Sequence, residues 1–311
     1  MRRGQPTPRA TSAAERQLKS MHGQQDALKF YRATAASVEQ ADIVIFGVPD
    51  ESRSHAIRKG TSAAPDALRA ASNESEFFMR DGKAIPTVPM RGTFEGKRIF
   101  DAGNVSRDEL HDKVLATIAE GRFPITIGGD HSLTREALAA IHESIGEKSS
   151  LLYFDAHPDF VSSARDYYGS VLTDSAQYVD FPRSMAIGTR AAEHEEIENA
   201  RSAGLQLVTP IDIVEQGVRK VTEMITAKTA GRNVYVSIDL DCVDPASAPG
   251  VSVPSPGGLA TADLLYMLTR VMSMCNVAGF DIVELSPDYD LNDMTAYLAA
   301  RIMSECIASL P

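Results

Sequence analysis

The feature that most constrains the fold of this chain is an alternation of short apolar runs with amphipathic segments from residue 41 onward. Eight runs, mostly rich in valine, isoleucine or leucine, lie at residues 42–46, 98–100, 124–127, 151–154, 185–187, 205–208, 234–238 and 277–283. Segments with the apolar spacing of helices lie at residues 107–120, 135–144, 211–229 and 261–274. This alternation is typical of a parallel sheet covered by helices on both faces. The sequence therefore predicts an α/β fold, a three-layer α/β/α sandwich with a mostly parallel sheet of about eight strands. A closed eight-stranded barrel is the alternative.

The length and local composition indicate how the chain is divided. A chain of 311 residues fits one large domain or two modest ones, and no linker or internal repeat interrupts the alternation. Residues 1–40 differ from the rest, because they are polar and basic at the start. We therefore expect a single domain over residues 41–311, preceded by an N-terminal extension over residues 1–40. We expect this extension to be partly helical, around residues 13–35.

Charge and cysteine content exclude several classes of protein. The chain has 31 basic and 42 acidic residues, a net charge of −11. This balance argues against a nucleic-acid binder and against binding to an anionic membrane surface. There is no apolar run of membrane-spanning length, and the polar residues near the start lead us to expect no secretory signal. The three cysteines, Cys242, Cys275 and Cys306, are too few and too far apart for a disulfide framework. We expect a cytoplasmic protein.

Polar residues follow three of the predicted strands, where open α/β sheets bind their ligands. These motifs are GGDHS at residues 128–132, DAHPD at residues 155–159 and DLDCVDP at residues 239–245. Any one of them alone is compatible with an ordinary turn or helix cap. All three together, each directly after an apolar run, indicate a shared site.

The spacing within these motifs predicts a metal centre. In an extended chain, residues two apart point to the same side, so Asp155, His157 and Asp159 converge, as do Asp239 and Asp241. Several carboxylates at one buried place repel each other unless cations lie between them. Six side chains are the predicted ligands of two metal ions: His131, Asp155, His157, Asp159, Asp239 and Asp241.

The types of ligand atom limit which metal ions fit the site. Two imidazoles, four carboxylates and no thiolate suit Mn²⁺, and nickel, cobalt or zinc could replace it in vitro. A pair of such ions lowers the pKa of a shared water and so provides a nucleophile at neutral pH.

The three motifs, in this order, resemble those of the arginase/agmatinase family of ureohydrolases, over residues 41–308 and most closely in their agmatinase form. The resemblance implies the arginase/deacetylase-like fold, two Mn²⁺ per chain held by the six residues, and a homo-oligomer, a trimer or hexamer. It implies hydrolysis of a guanidino group to urea and an amine, most simply agmatine to putrescine in polyamine biosynthesis. The family's loop at residues 248–258 is followed only approximately, with changes at residues 251–256.

The resemblance also implies residue roles. Asp159 hydrogen-bonds the nucleophile and helps to move a proton to the leaving amine, and Glu284 matches the glutamate that binds the guanidinium group. The family's proton-shuttle histidine is absent, because residues 160–180 contain no histidine. Tyr167, Tyr168 or Asp174 could replace it.

Several alternatives stay open. The substrate could be arginine, 4-guanidinobutyrate, another guanidino acid or free guanidine, and a substrate carboxylate would need a cationic clamp such as Arg53, Arg58 or Arg165. Glu193 lies near the position of the family's acid for a substrate amino group, but equally fits an exposed helix acid. From another class, the chain could be a metal-binding homologue without activity, acting as a structural or regulatory subunit. A deacetylase of related fold fits less well, because the paired motifs favour two metals.

Overall fold

The structure, a computed structural model, describes residues 28–311. Its strands are numbered along the chain as β1 Ile43–Gly47, β2 Phe77–Arg80, β3 Lys83–Pro86, β4 Ile99–Asn104, β5 Phe123–Ile127, β6 Ser150–Phe154, β7 Met185–Ile187, β8 Gln206–Val208, β9 Asn233–Asp239 and β10 Asn276–Val283. Eight of these strands coincide with the eight apolar runs, so the predicted strand positions are confirmed. The other two, β2 and β3, form a separate antiparallel hairpin that the sequence analysis did not predict.

Helices occupy most of the segments between the strands. Within the described residues they are α1 Ala64–Ser75, α2 Arg107–Ala119, α3 Thr134–Ile145, α4 Val171–Asp174, α5 His194–Ala203, α6 Pro210–Gln216, α7 Val218–Lys228, α8 Thr261–Met274 and α9 Met294–Ser309. The single helix expected over residues 211–229 is two helices. The break lies at Gly217, whose φ of 84° is outside the helical region and is tolerated by glycine.

The eight strands form one open sheet in the order β4-β1-β5-β10-β9-β6-β7-β8. Every pairing within it is parallel. The predicted α/β/α sandwich is therefore confirmed, and the barrel alternative is wrong. The strands that precede the predicted site residues, β5, β10, β9 and β6, are consecutive neighbours in the centre of this sheet.

The sheet is buried on both faces. Along β1, Ile43 and Ile45 pack into one apolar cluster, and Val44 and Phe46 pack into the other. The first cluster includes side chains of α1 and α6 to α9, and the second includes side chains of α2 to α5. Because both faces are covered, the runs are apolar at nearly every position rather than at every second one.

The N-terminal extension is described only from residue 28. Phe30 is buried in the first cluster, and Phe30 N–H donates to Oδ2 of Asp101 at 2.8 Å. Residues 28–35 form an irregular turn instead of the end of the helix expected around residues 13–35; the rest of that helix lies outside the described residues. None of the described helices has the length and apolar character that crossing a bilayer requires.

Candidate metal centre

The residues predicted to bind metal lie at one edge of the sheet, where its four central strands end. β5 leads to the loop that carries His131, β6 leads to residues 155–159, β9 ends on Asp239, and β10 ends directly before Glu284. Because these four strands are neighbours and parallel, their carboxyl ends meet.

One group of side chains surrounds Nδ1 of His131. This atom lies 2.9 Å from Oδ2 of Asp155, 3.2 Å from Oδ2 of Asp239 and 3.3 Å from Oδ2 of Asp159. Ligand atoms of His131, Asp155 and Asp239 lie within 4.8 Å of one another, close enough to share one ion. All three residues are buried.

A second group shares Asp155 with the first. Nδ1 of His157 lies 3.1 Å from Oδ2 of Asp241 and 3.4 Å from Oδ1 of Asp155. Ligand atoms of these three residues also lie within 4.8 Å of one another. One oxygen of Asp155 therefore faces each group, which suits a carboxylate that bridges two ions. Asp159 completes neither close group, although its Oδ2 lies beside His131.

The electrostatics of the two groups suit cations. Burial and the charges of Asp159 and Asp241 raise the pKa of Asp155 to about 6. Burial and the charge of Asp241 also raise the pKa of Asp239 well above its usual value. Oδ2 of Asp155 is buried and accepts no hydrogen bond from any residue between 28 and 311. Divalent cations would offset this repulsion and occupy that acceptor, so the residues fit two metal ions.

A hydrogen-bond network sets the tautomer of His131. Its Nε2 lies 2.8 Å from Oγ of Ser237, and that hydroxyl donates to Oδ1 of Asp281 at 2.7 Å. Since the Ser237 hydroxyl has only one hydrogen, it must accept from Nε2, which therefore carries the proton. Nδ1 is then left with a lone pair directed at the carboxylates, as a metal ligand requires. Tyr235 and Thr134 donate to the other oxygen of Asp281, each at 2.8 Å, and fix it in place.

The two residues with proposed catalytic roles both have strained backbones. Asp159 has φ 47° and Glu284 has φ 65°, values that residues with a Cβ rarely adopt. The Tyr153 hydroxyl donates to Oδ2 of Asp159 at 2.6 Å, and its ring stacks on His131 with centroids 4.5 Å apart. Such strain persists where the surroundings hold a residue in one functional position.

Glu284 lies beside the metal groups without belonging to either. Its Oε1 accepts a hydrogen bond of 2.8 Å from the His131 backbone N–H, and its Oε2 accepts one from the Ser252 hydroxyl. The side chain is buried, and burial raises its pKa to about 8. A buried carboxylate in this position is stabilised in its charged form by a cationic partner.

The loop that carries His131 is held by groups around Asp130. A Cβ on Gly129 would lie 1.9 Å from the Asp50 carbonyl oxygen, so only glycine permits this close approach. Asp130 N–H donates to that same carbonyl at 3.0 Å. Arg107 donates to Asp130 at 3.2 Å and to the Ser132 hydroxyl at 2.8 Å. Asp130 therefore orders the loop. It is not one of the six predicted ligands.

Arg190 ties two loops together, and the sequence analysis gave it no role. Its guanidinium donates to the carbonyl oxygens of Asp241 at 2.7 Å, Gly188 at 3.0 Å and Cys242 at 3.2 Å. Its Nε donates to the carbonyl of Ser255 at 3.0 Å. These bonds hold the main chain around the predicted ligand Asp241. The carbonyls of Asp241, Cys242 and Ser255 lie 51 to 65 residues from Arg190 in sequence, so no local pattern could reveal these contacts.

Replacing Arg190 by methionine should lower the free energy of unfolding by about 2 kcal/mol, because several half-buried carbonyls lose their donor. It should also weaken metal binding by about tenfold or more, since the Asp241 loop loses its support. Chemical denaturation and metal titration would measure both. The exposed Arg201 provides the control, and Arg201→Met should change neither. Wild-type stability in Arg190→Met would show that the loop holds its shape without these bonds.

Tyr167, Tyr168 and Asp174 are the candidates to replace the missing histidine, and they have different surroundings in the structure. Asp174 is held within its own loop, accepting from the Ser170 hydroxyl at 2.6 Å and from Arg165 at 3.3 Å. Tyr167 stacks on His55, with ring centroids 5.1 Å apart. Neither contact directs a group at the metal residues.

Tyr168 lies differently from Tyr167. The next residue along the chain, Gly169, is bonded to the loop after Asp159, because its carbonyl accepts a hydrogen bond of 3.1 Å from the Val161 N–H. Burial, and then the charges of Asp159 and Glu284, raise the pKa of Tyr168. The charge of Asp159 also raises the pKa of Tyr167, after burial and the charge of Glu193, whereas the charge of Glu284 acts on Tyr168. The Tyr168 side chain therefore lies in the field of the two proposed catalytic carboxylates, and its hydroxyl stays protonated.

The candidates for holding a substrate tail are mostly engaged elsewhere. Arg53 and Arg165 each lie near an acidic side chain, at 3.8 and 3.3 Å. Arg58 stacks over the Tyr289 ring, 5.0 Å from its centroid. Glu193 is exposed and is the N-cap residue of α5. A clamp for a substrate carboxylate is thus available only from Arg58 among the three arginines.

Comparison with known proteins adds an independent line of evidence. The sequence model of the arginase family matches residues 41–309. Proclavaminate amidinohydrolase of Streptomyces clavuligerus is 32% identical over 282 residues, which cover 86% of this chain and 87% of that protein. Agmatinase of Chromobacterium violaceum is 30% identical, with 90% and 87% covered. The solved structure of a hypothetical agmatinase from Burkholderia thailandensis has a TM-score of 0.79 at 26% identity, covering 91% of this chain and 90% of that one.

Proposed function

The chain belongs to the arginase family, as its motifs predict, and we propose that it hydrolyses a guanidino group to urea and an amine with two Mn²⁺ ions. The observation that carries this proposal is the position of Glu284, a buried carboxylate bonded to the backbone of His131, whose side chain belongs to the first of two candidate metal groups. The Glu284 carboxylate suits the binding of a guanidinium cation, and the two groups suit metal ions that activate water. A metal-binding subunit without activity would have no need of Glu284.

The proposed ligands are the six residues predicted from the sequence. One ion would lie among His131, Asp155 and Asp239 with Asp159 beside them, and the other among Asp155, His157 and Asp241. Bound there, the ions would supply the Lewis acidity that turns water into a nucleophile at neutral pH. The mixed nitrogen and carboxylate donors favour Mn²⁺.

The chain's own residues would carry out the remaining steps. Glu284 binds the guanidinium through its carboxylate oxygens and directs the central carbon toward the metal groups. As the water oxygen bonds to this carbon, Asp159 takes up a proton from that water at Oδ2, the oxygen that also accepts the Tyr153 hydrogen bond. The bond from carbon to the substituted nitrogen then breaks, the proton passes to that nitrogen, and urea and the amine leave.

Agmatine is the first-choice substrate, and arginine, guanidino acids and free guanidine are the alternatives. Two of the three arginines that could clamp a substrate carboxylate lie near acids, which favours a substrate without one. Arg58 is the group that a guanidino acid such as 4-guanidinobutyrate would use. The agmatinase of Chromobacterium violaceum supports the same choice.

We further propose a homo-oligomer, a trimer or hexamer, whose catalytic domain spans residues 41–311. Exposed apolar side chains on and after the β2–β3 hairpin support an interface, with Phe78 67% and Val88 82% exposed. A cytoplasmic location is proposed because all three cysteines are free thiols, the state that a reducing compartment maintains.

The test is urea release by purified, Mn²⁺-loaded protein from agmatine, arginine, 4-guanidinobutyrate and guanidine. Turnover of agmatine above the others supports the proposal. Preference for 4-guanidinobutyrate would indicate that the substrate is a guanidino acid. Arg58→Met should then abolish that preference. Absence of urea from all four compounds, with two ions bound per chain, would contradict the proposed activity on them.

Tyr168→Phe should lower kcat for agmatine by about a hundredfold and leave KM almost unchanged. The Tyr168 hydroxyl lies in the field of Asp159 and Glu284 and stays protonated. It can therefore pass its proton to the leaving amine and regain one from Asp159, which relays the proton that Asp159 has taken up. Steady-state kinetics would measure the change, with Tyr167→Phe as the matched control at the neighbouring position. Equal rates for wild type and Tyr168→Phe would exclude this role.

A further inference from the structure

We propose that Ser252 is a positioning residue for the substrate. Together with the His131 backbone N–H, its hydroxyl holds the Glu284 carboxylate in the orientation that receives a guanidinium group. The inference rests on the proposed function, because it takes Glu284 as the guanidinium-binding group. It adds the group that orients this carboxylate, which neither the motifs nor the resemblance identifies.

The backbone brings Ser252 to Glu284 in a fixed register. Val251 forms an antiparallel bridge with Leu285, and the Ser286 N–H donates to the Gly250 carbonyl at 2.7 Å. The loop of Ser252 therefore runs alongside the segment that follows β10. Ser252 is 5% exposed, so water does not compete strongly for its hydroxyl. Main-chain pairing thus brings the two side chains within reach of each other.

The number of acceptor sites on Glu284 fits this role. An ionised carboxylate has about four lone-pair sites, two on each oxygen. The His131 N–H occupies one site on Oε1, and the Ser252 hydroxyl occupies one site on Oε2. Among residues 28–311 no other donor bonds to this carboxylate, so one site on each oxygen is left. A guanidinium group fills such a pair with two parallel N–H donors. The protein thereby leaves open the two positions that a bidentate cation needs.

A single donor would not achieve the same orientation. The terminal torsion of a glutamate side chain is broad, so a carboxylate bonded only at Oε1 can rotate about that bond. The Ser252 hydroxyl fixes the second oxygen and with it the plane of the group. Ser252 also lies within residues 251–256, where this chain departs from the loop of its family.

The test compares kcat and KM for agmatine in Mn²⁺-loaded wild type, Ser252→Ala, Ser252→Thr and Ser247→Ala. Ser252→Ala should lower kcat/KM by about 10- to 30-fold, mainly through KM, because Glu284 binds the guanidinium in the ground state as well as in the transition state. Ser252→Thr keeps the hydroxyl and should stay within about threefold of wild type. Ser247, a half-buried serine of the same loop, is the control, and its variant should be unchanged. All four proteins should bind the same amount of metal.

Two results would overturn the inference while the proposed function stands: an unchanged kcat/KM in Ser252→Ala, or equal losses in Ser252→Ala and Ser252→Thr. If wild type releases no urea, the proposed function fails, and calorimetric titration of agmatine into the metal-loaded proteins decides the inference separately. Weaker binding by Ser252→Ala than by wild type and Ser252→Thr supports it. Equal affinities, or no binding by wild type, contradict it.

Discussion

Asp239→Asn is expected to lower the metal content of the purified protein to one ion per chain or fewer and to reduce urea release by more than about a hundredfold. Oδ2 of Asp239 lies 3.2 Å from Nδ1 of His131, within the first group of metal-binding side chains. An amide in its place is neutral and turns either a weak oxygen donor or an N–H group toward the ion. Loss of a residue that only supports a ligand costs 10- to 100-fold in metal affinity or activity, so loss of a ligand should cost more.

Elemental analysis of the purified variant would measure its metal content, and a urea assay its rate. Asp112→Asn is the matched control, because the Asp112 side chain is 86% exposed on α2, and it should keep both ions and the full rate. Two ions and a wild-type rate in Asp239→Asn would remove Asp239 from the ligand set. Loss of the fold is excluded by comparing the far-UV circular dichroism of the two variants.

Glu284→Gln should keep both metal ions and lose about 100- to 1,000-fold in urea release. Glutamine has the same shape and can still accept a hydrogen bond from the His131 N–H, so the loop of that ligand stays in place. What it removes is the negative charge that pairs with the guanidinium. The charge matters more here than at the surface, because the side chain is 1% exposed and water screens it little.

Metal analysis and steady-state kinetics on the same preparation distinguish the outcomes for Glu284→Gln. Glu198→Gln on α5, whose side chain is 60% exposed, controls for the substitution itself. An unchanged rate in Glu284→Gln would remove Glu284 from the substrate site. Loss of metal along with the rate would instead make it part of the metal centre.

The positions of the strands could be predicted because the sheet is buried on both faces. A strand such as β6, with every residue buried, forms an uninterrupted apolar run that ends where the polar loop begins. The same contrast identifies the residues that follow each strand. The hairpin of β2 and β3 has mostly exposed residues and lacks such a run, so no comparable signal predicted it.

The order of the strands could not be obtained in this way. β10 lies between β5 and β9, although most of the domain separates it from β5 in sequence. This arrangement places Glu284 beside His131, and nothing local to either residue indicates it. Glu284 was identified through the family resemblance alone, while the six ligands followed from their spacing.

Contacts between loops could also not be predicted from the sequence. The bonds from Arg190 to the Asp241 loop and from Ser252 to Glu284 join residues that are 51 and 32 positions apart in sequence. Likewise, the sequence left Tyr167 and Tyr168 equivalent, and the loop conformation alone distinguishes them. Each case depends on packing between segments, which no short pattern records.

We have proposed that two metal ions at this site activate water against a guanidino substrate. Titration of Mn²⁺ into chelator-treated protein, with urea release from agmatine measured at each addition, tests it most directly. We predict negligible activity without metal and a rise that reaches its plateau at two ions per chain. Full activity of the chelator-treated protein, or a plateau at one ion per chain, would contradict the two-metal account.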